Sequence, residues 1–493
     1  MRIPFPERVP LNRVAIFAVV LFLLQQLERT SLYFSVGCTA FILISALAFN
    51  AAGGLTRAAG AYVFFYSTLV VIVGICYKAF LGEPAQSNLV DPKTDIEVYI
   101  AGISAMYAAV IVSRRFARRS ALMQNLISGT KLYRSSVGCI VVGALGGFAI
   151  ALLGSSAGPL ISAFAQFNQL IPLGIVAGVM YEIRRSGGTR TLNLPVAIAI
   201  AYYFFVYGII GFSKQGMLTP LVCWALPAFA ARVRLSVLQI AACCVTVFVV
   251  FQYLVPYAQY GRKFMEPNQS IKQRVDIAIR LIEHPSQTRQ DYEDEYADQA
   301  QYYNTQQGFW DRLQFVSVDD GLNNITDQGR VYGLLPIQLA ALNVVPHIFW
   351  KDKPEVNFGI RYSHEITGIE DTEDNTNIGI SFSPTAEAYH MDKWRGVLVV
   401  APLIWFVLFF VLDSLLGDLR TTPWGLLALA LISHIAPEGA LTGAIYLVTV
   451  GVEILIFCAF FAAWVAPLFG DAVLGPQRSP SQPHLAAINP RIS

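Results

Sequence analysis

The sequence predicts an all-α, polytopic membrane protein with about twelve transmembrane helices and one large extracytoplasmic loop. Three observations predict it. The 493 residues are 55% hydrophobic and only 14% charged, where soluble domains carry about 25% charged residues. Mean hydropathy is +0.51, and many runs reach the roughly 17–25 apolar residues that cross a bilayer. The charges that remain fall into a few blocks between those runs. Stretches such as VAIFAVVLFLL (14–24) and VLVVAPLIWFVLFFVL (397–412) lack the apolar–polar alternation of a transmembrane barrel strand.

Taken in order, the expected spans are 13–28, 32–50, 58–80, 94–113, 136–154, 158–181, 192–212, 216–231, 236–257, 396–416, 423–437 and 440–466. They give an N-terminal membrane bundle of about nine spans (1–257), a large loop (258–395), about three C-terminal spans (396–466) and a Pro-rich polar tail (467–493), expected to be disordered. The first run follows a basic, Pro-rich MRIPFPERVPLNR, and no small-residue cleavage signal comes after it. It therefore reads as a membrane helix rather than a removable signal peptide.

Charge assigns sides. With a cytoplasmic N-terminus, Arg57, RRFARR (114–119), EIRRSGGTR (182–190), ARVR (231–234) and GDLR (417–420) all fall on one side, as short cytoplasmic loops should. The C-terminus falls on that side too. The large loop falls on the other. It holds 13 Lys and Arg against 21 Asp and Glu, a formal charge of −8. Within it, 265–284 has apolar residues at helical spacing and 292–316 is expected to be helical, with aromatics at the membrane surface. The stretch 333–350 is apolar but broken by two prolines, which suits a re-entrant or interfacial helix shielded from lipid. Asp319, Asp320 and Gly321 read as a helix stop and turn.

Several polar residues near the apolar runs require an explanation. Lys214, in FSKQG, sits on the outer side against the charge bias; it either snorkels to headgroups or meets a phosphate or sugar acid. Arg312 is either a salt-bridge partner in an acidic loop or a pyrophosphate clamp, for which the guanidinium fork is suited. PHIFWKDKP (346–354) sets Trp350, Lys351 and Lys353 between prolines, as interfacial anchors or beside an anionic headgroup. Arg361, His364 and Glu365 follow closely. The imidazole and the carboxylates of this stretch can hold a cation, but the spacing is not diagnostic, and neither a metal nor a cofactor is expected. SPTAEAYHMDKWRG (383–396) puts Glu387 and His390 on one helical face. There, Glu387 either accepts a proton from a sugar hydroxyl as general base, or the segment merely caps the next span. His434 and Glu438, four residues apart, read as an outer turn bordering the same cavity. All seven cysteines lie in apolar runs without ligand spacing, so they read as small buried hydrophobes.

Taken together, about a dozen spans, one large late loop, the outer turn SKQG (213–216), PHIFWKDKP and the pre-span TAEAYHMDKWRG resemble the O-antigen or oligosaccharide repeat unit polymerase family. The resemblance implies a GT-C-like glycosyltransferase in the bacterial inner membrane, acting at its outer face. Its donor and acceptor would both be oligosaccharides linked to undecaprenyl pyrophosphate, with membrane lipids, a flippase and a chain-length regulator as companions and no nucleic acid. It implies no metal. Lys214 matches the outer-turn cation, Arg312 a loop arginine of the site, Lys353 the Pro-flanked motif, and Glu387 and Tyr389 the pre-span motif. Arg361, Tyr389 and His434 are further expected contacts to substrate or pyrophosphate, and His390 is grouped with Glu387 and Arg312 as catalytic. His347 and Lys214 stand where arginine is expected, and lysine gives up bidentate geometry.

Two other functions fit this pattern. A ligase-like enzyme would move a finished glycan to a different acceptor on nearly the same architecture. A transporter or flippase would show inverted repeats and broken helices in matching places, and the sequence displays neither. A structural assembly protein is a third option, against which the cluster around Glu387 argues.

Overall fold

The computed structural model describes residues 4–118, 120–127, 129, 131–153, 166–265, 269–295, 301–305, 310–342, 350, 361–362 and 380–475. Among the described residues the regular elements of any length are helical. In chain order α1 (Leu11–Leu27), α2 (Leu32–Ala52), α3 (Ala58–Leu81), α4 (Pro92–Phe116), α5 (Leu132–Leu153), α6 (Leu170–Arg185), α7 (Leu194–Ile209), α8 (Lys214–Ala230) and α9 (Val237–Phe264) come first. Between these and the last spans come α10 (Ile271–Glu283), α11 (Pro285–Glu295), α12 (Val316–Asp327) and α13 (Leu335–Leu342). Then α14 (Pro384–Arg395) runs into α15 (Ala401–Leu416), followed by α16 (Pro423–Glu438) and α17 (Ala440–Leu474).

Among the described residues, seven helices are long and apolar enough to cross a membrane: α2, α3, α4, α5, α9, the α14–α15 unit and α17. The chain is a multi-pass membrane protein. Each of the twelve expected segments contains a helix, though the first part of 158–181 lies outside the described residues. The other five are shorter. The 16 residues of α6 or α16 rise only about 24 Å, less than the roughly 30 Å hydrocarbon core.

Helix starts follow local chemistry. Ser31, Asn193, Ser213, Ser383 and Thr422 each accept a backbone N–H of the first turn as N-caps. The start of α3 is capped from across the bundle: Ala58 N–H donates to Asp413 Oδ1 at 2.9 Å. Close packing follows from small residues. A Cβ on Gly60 would strike the Gly54 carbonyl, and one on Gly102 would strike the Thr385 methyl. The core is built by α2 on α4, α4 on α15 and α3 on α16. Tyr62 meets Phe409 edge-on at 5.7 Å, and Trp405 and Trp424 are fully buried.

The two ends of the bundle differ. At one end Arg420 pairs with Asp418 and Glu7, Arg114 donates to the Ala51 carbonyl, Arg134 pairs with Asp471 and Arg184 donates to Thr421 O. Backbone bonds Leu122 N–H to Ser414 O and Leu419 N–H to Thr56 O tie the same loops together. At the opposite end Ser31 N–H meets Gln86, Asn88 donates to Tyr302 O, and the 90–94 segment meets α12. Four of the basic loops grouped by charge bias, at Arg57, 114–119, 182–190 and 417–420, thus share one end.

Three expectations within the large loop change. Residues 292–316 do not form one helix. Rather, α11 is described as far as Glu295, residues 301–305 are not helical, and the next described helical turn is Trp310–Leu313. Tyr302 and Tyr303 are fully buried rather than at a membrane surface: Tyr302 donates to the Ala85 carbonyl at 2.7 Å, and Lys78 lies 4.8 Å from its ring. A phenol supplies both apolar area and a donor, so it serves as an anchor inside the fold. Asp319, Asp320 and Gly321 lie within α12 and are not a stop. Their carboxylates face partners on other helices, which the local pattern does not reveal.

Candidate functional site

The opposite end of the bundle gathers a polar cluster around α14. Ser383 caps it, and Pro384 supplies the preset φ of the first helical position. The helix breaks at Asp392 (φ −155°, ψ 43°) and Lys393 (φ 46°, ψ −131°). Gly396 then passes so close to the Ala388 carbonyl that a Cβ would not fit. Ala440, at the turn into α17, also has positive φ (55°). Non-glycine residues in this region are held there by their surroundings at a cost of about 1–3 kcal/mol. Ala440 lies two residues before Thr442, which donates to a buried carboxylate.

That carboxylate is Glu387, which is fully buried. Its Oε1 accepts from the Tyr362 hydroxyl at 3.0 Å, and its Oε2 from Thr442 N–H at 2.8 Å. Thr442 Oγ1 adds a longer contact of 3.4 Å. One turn on, His390 Nδ1 lies 2.7 Å from Thr326 Oγ1. Thr326 spends its only hydroxyl proton on Leu322 O at 2.6 Å. It therefore accepts from His390, which assigns the proton of a neutral ring to Nδ1. Glu387 and His390 share a helix face, as expected, and Tyr362 joins them: its hydroxyl binds Glu387 and its ring meets the imidazole edge-on at 5.5 Å. Arg361 sits 4.5 Å above the Tyr332 ring, which stacks on Tyr362 at 5.2 Å. Tyr389 donates to Asp327 Oδ1 at 2.7 Å, and Lys393 approaches the same oxygen at 3.7 Å.

The α16–α17 turn extends this cluster. Glu438 Oε2 pairs with Lys214 at 2.8 Å, and its Oε1 pairs with His434. Two residues later Ala440 N–H donates to Phe382 O at 3.1 Å, and Thr442 reaches Glu387. Lys214 is the first residue of α8 after the Ser213 cap. Five helical segments thus meet at one rim, with Lys214 and His434 on one side of the turn and Glu387, His390, Tyr389 and Arg361 on the other.

Arg312 has different company. It donates to the Tyr292 hydroxyl, and its guanidinium lies 5.3 Å from that ring. They line a small surface depression together with Phe251, Gln252, Pro256, Arg289 and Glu293. None of these partners belongs to the Glu387 group. Lys353, His347, His364 and Glu365 lie outside the described residues. Among the described residues, no three His, Cys, Asp or Glu side chains form a group able to hold a metal.

Beneath the cluster is a layer the sequence did not single out. Asp319 Oδ1 accepts from Ser383 N–H at 3.0 Å and Oδ2 from the Tyr99 hydroxyl at 2.8 Å. Asp320 accepts from Val90 and Asp91 N–H at 2.7 and 2.8 Å. Asn323 donates to Asp95 at 2.8 Å. All four side chains are buried. The local signal was carboxylates at the head of apolar helices, in DPKTD (91–95) and VDDG (318–321). Their pairing spans more than 200 residues, so no local pattern reports it. No family model matches this chain, nor does any curated protein or solved structure.

Proposed function

We propose that this protein is a membrane glycosyltransferase of the repeat-unit polymerase type, working on glycans linked to lipid pyrophosphate at the rim where α8, α14 and the α16–α17 turn meet. In this reading Glu387 takes the proton of an acceptor sugar hydroxyl. That oxygen forms a bond to the anomeric carbon of the donor glycan. The bond from that carbon to the pyrophosphate oxygen breaks, and undecaprenyl pyrophosphate leaves with the electron pair. Lys214 and Arg361 supply positive charge where the leaving group gains negative charge, which lowers the barrier more than it tightens ground-state binding. Tyr389, His390 and His434 line the same rim. Arg312, which stands with Tyr292 away from this group, is not assigned a role in the step.

One observation carries the reading: a single turn, Glu438–Thr442, holds a lysine through Glu438 and a buried carboxylate through Thr442. A base and a cation from distant parts of the sequence, Glu387 and Lys214, are thereby brought to one rim of a membrane bundle. The reading puts that rim on the non-cytoplasmic side, with both termini cytoplasmic, as the basic loops at the other end favour.

Purified protein reconstituted with synthetic lipid-pyrophosphate oligosaccharide is expected to give longer products and free lipid pyrophosphate. Glu387→Gln should lose turnover by at least 100-fold while keeping its folded elution profile. Wild-type turnover in that variant removes Glu387 from the reaction. Lipid movement across the bilayer without a new glycosidic bond favours the transporter reading instead.

A further inference from the structure

The proposed chemistry depends on where α14 begins, and the contacts that fix this beginning lie beneath the rim. Ser383 is the N-cap of α14, and its own N–H is held by Asp319. Its hydroxyl meets Thr385 Oγ1 at 3.0 Å, which in turn meets the Tyr66 hydroxyl at 3.0 Å. Asp319 therefore sits at the junction of α3, α4, α12 and α14. Glu387 is one turn beyond Ser383, and its N–H donates to Ser383 O at 3.2 Å. A shift at Ser383 is transmitted directly to the Glu387 carboxylate.

We propose that Asp319 is a positioning residue for α14, holding its first turn through Ser383 in a way that depends on whether the Asp319 carboxyl carries a proton. This deepens the functional reading and rests on it for its relevance to catalysis. The groups facing Asp319 are Tyr99 and Asp95 from α4, Asp320 from its own helix, Tyr66 from α3 behind Thr385, and Ser383 from α14. Among the described residues it forms no ion pair with a cation. Two donors favour the carboxylate, while complete burial and the Asp320 charge oppose it. Burial wins, pushing Asp319 up to about 7. When protonated, Asp319 keeps the Ser383 bond on one oxygen and turns the other into a donor to the Tyr99 oxygen.

The sign follows from linkage. Local opening exposes Asp319 to water and returns it to an ordinary carboxylate, so between about pH 4 and pH 7 the open state has released a proton that the docked state keeps. Opening therefore becomes more favourable as pH rises through this window, by up to tenfold per pH unit, and levels off above about 7.

Hydrogen exchange of the 384–391 peptide in the full chain, corrected for intrinsic rates and followed from pH 5 to 9, reads this directly and needs no substrate. Wild type should show a rising opening constant that flattens near pH 7. Asp319→Asn is isosteric and mimics the protonated acid, so its profile should be flat. Tyr99→Phe keeps the carboxyl but removes a donor to it, so its inflection should move to higher pH. A wild-type profile shared by Asp319→Asn, or an inflection unmoved in Tyr99→Phe, overturns the assignment. The transfer assay separates the two ideas. Exchange as expected with no transfer by wild type leaves the positioning role standing and removes the enzyme reading. Transfer with identical exchange and rate profiles in wild type and Asp319→Asn does the reverse.

Discussion

Helices α3 and α9 have nearly the same hydropathy, 2.0 and 2.1, but opposite surroundings. In α3, 61% of the apolar stretch is buried inside the protein; in α9 only 6% is. In water such a difference could not persist, because an exposed apolar helix would be driven inward. In a bilayer, lipid tails solvate α9 as well as protein does, so hydropathy carries no information about which helix is central. What distinguishes α3 is close approach and polar anchoring: Gly60 against the Gly54 carbonyl, Ala58 capped by Asp413, and Tyr66 bonded to Thr385. The same division separates the candidate residues. Glu387 belongs to the tightly packed α3–α4–α14 side, whereas Arg312 lies by the C-terminal part of α9 with Phe251 and Pro256.

This contrast is sharpest for steric substitutions. Gly102→Leu drives a side chain into the Thr385 methyl beneath the site and should destabilise the protein by about 1–3 kcal/mol or more. Ala241→Leu adds bulk one methyl group smaller to an exposed position of α9 and should stay within about 0.5 kcal/mol. Thermal unfolding in nanodiscs compares the two, and equal losses would mean that α9 is packed against something in the membrane. Glu387→Ala comes next. It leaves Tyr362 and Thr442 N–H without their acceptor, for a loss of about 1–3 kcal/mol, read by the same measurement. A loss much smaller than this would show that the pocket relaxes or admits water. The smallest effect is expected from Lys214→Ala. Lys214 is about one third exposed, with a side-chain accessibility of 35%, so loss of its pair with Glu438 should cost at most about 1 kcal/mol. In the transfer assay, by contrast, the same substitution should cost far more than its stability effect.

Much of the architecture was legible because the constraints that set it are local. Runs such as 397–412 must be helical in lipid, where every backbone group needs an internal partner, and Ser213 and Ser383 announce helix starts by their own chemistry. The basic turns grouped by charge gather at one end, as Arg57, Arg114, Arg184 and Arg420 had indicated. The reading of SPTAEAYHMDKWRG as a helix placing Glu387 and His390 on one face held for the same reason. Tyr302 and Tyr303 were misjudged because they look interfacial by composition, while Tyr302 is buried against Ala85 and Lys78 and Tyr303 against Tyr77, more than 200 residues away.

The sequence by itself determined the helical class, the membrane solvent, the separation of basic and acidic ends and the local form of the Glu387 helix. All of these follow from periodicity, capping and transfer free energy, which act within a few residues. Only the tertiary structure decided which apolar helices are central, that Asp319 and Tyr99 hold Ser383, and that Lys214 and Glu387 share a turn while Arg312 stands with Tyr292. Those outcomes depend on steric fit and hydrogen-bond geometry between segments far apart in the chain, for which a membrane chain's hydropathy is nearly blind.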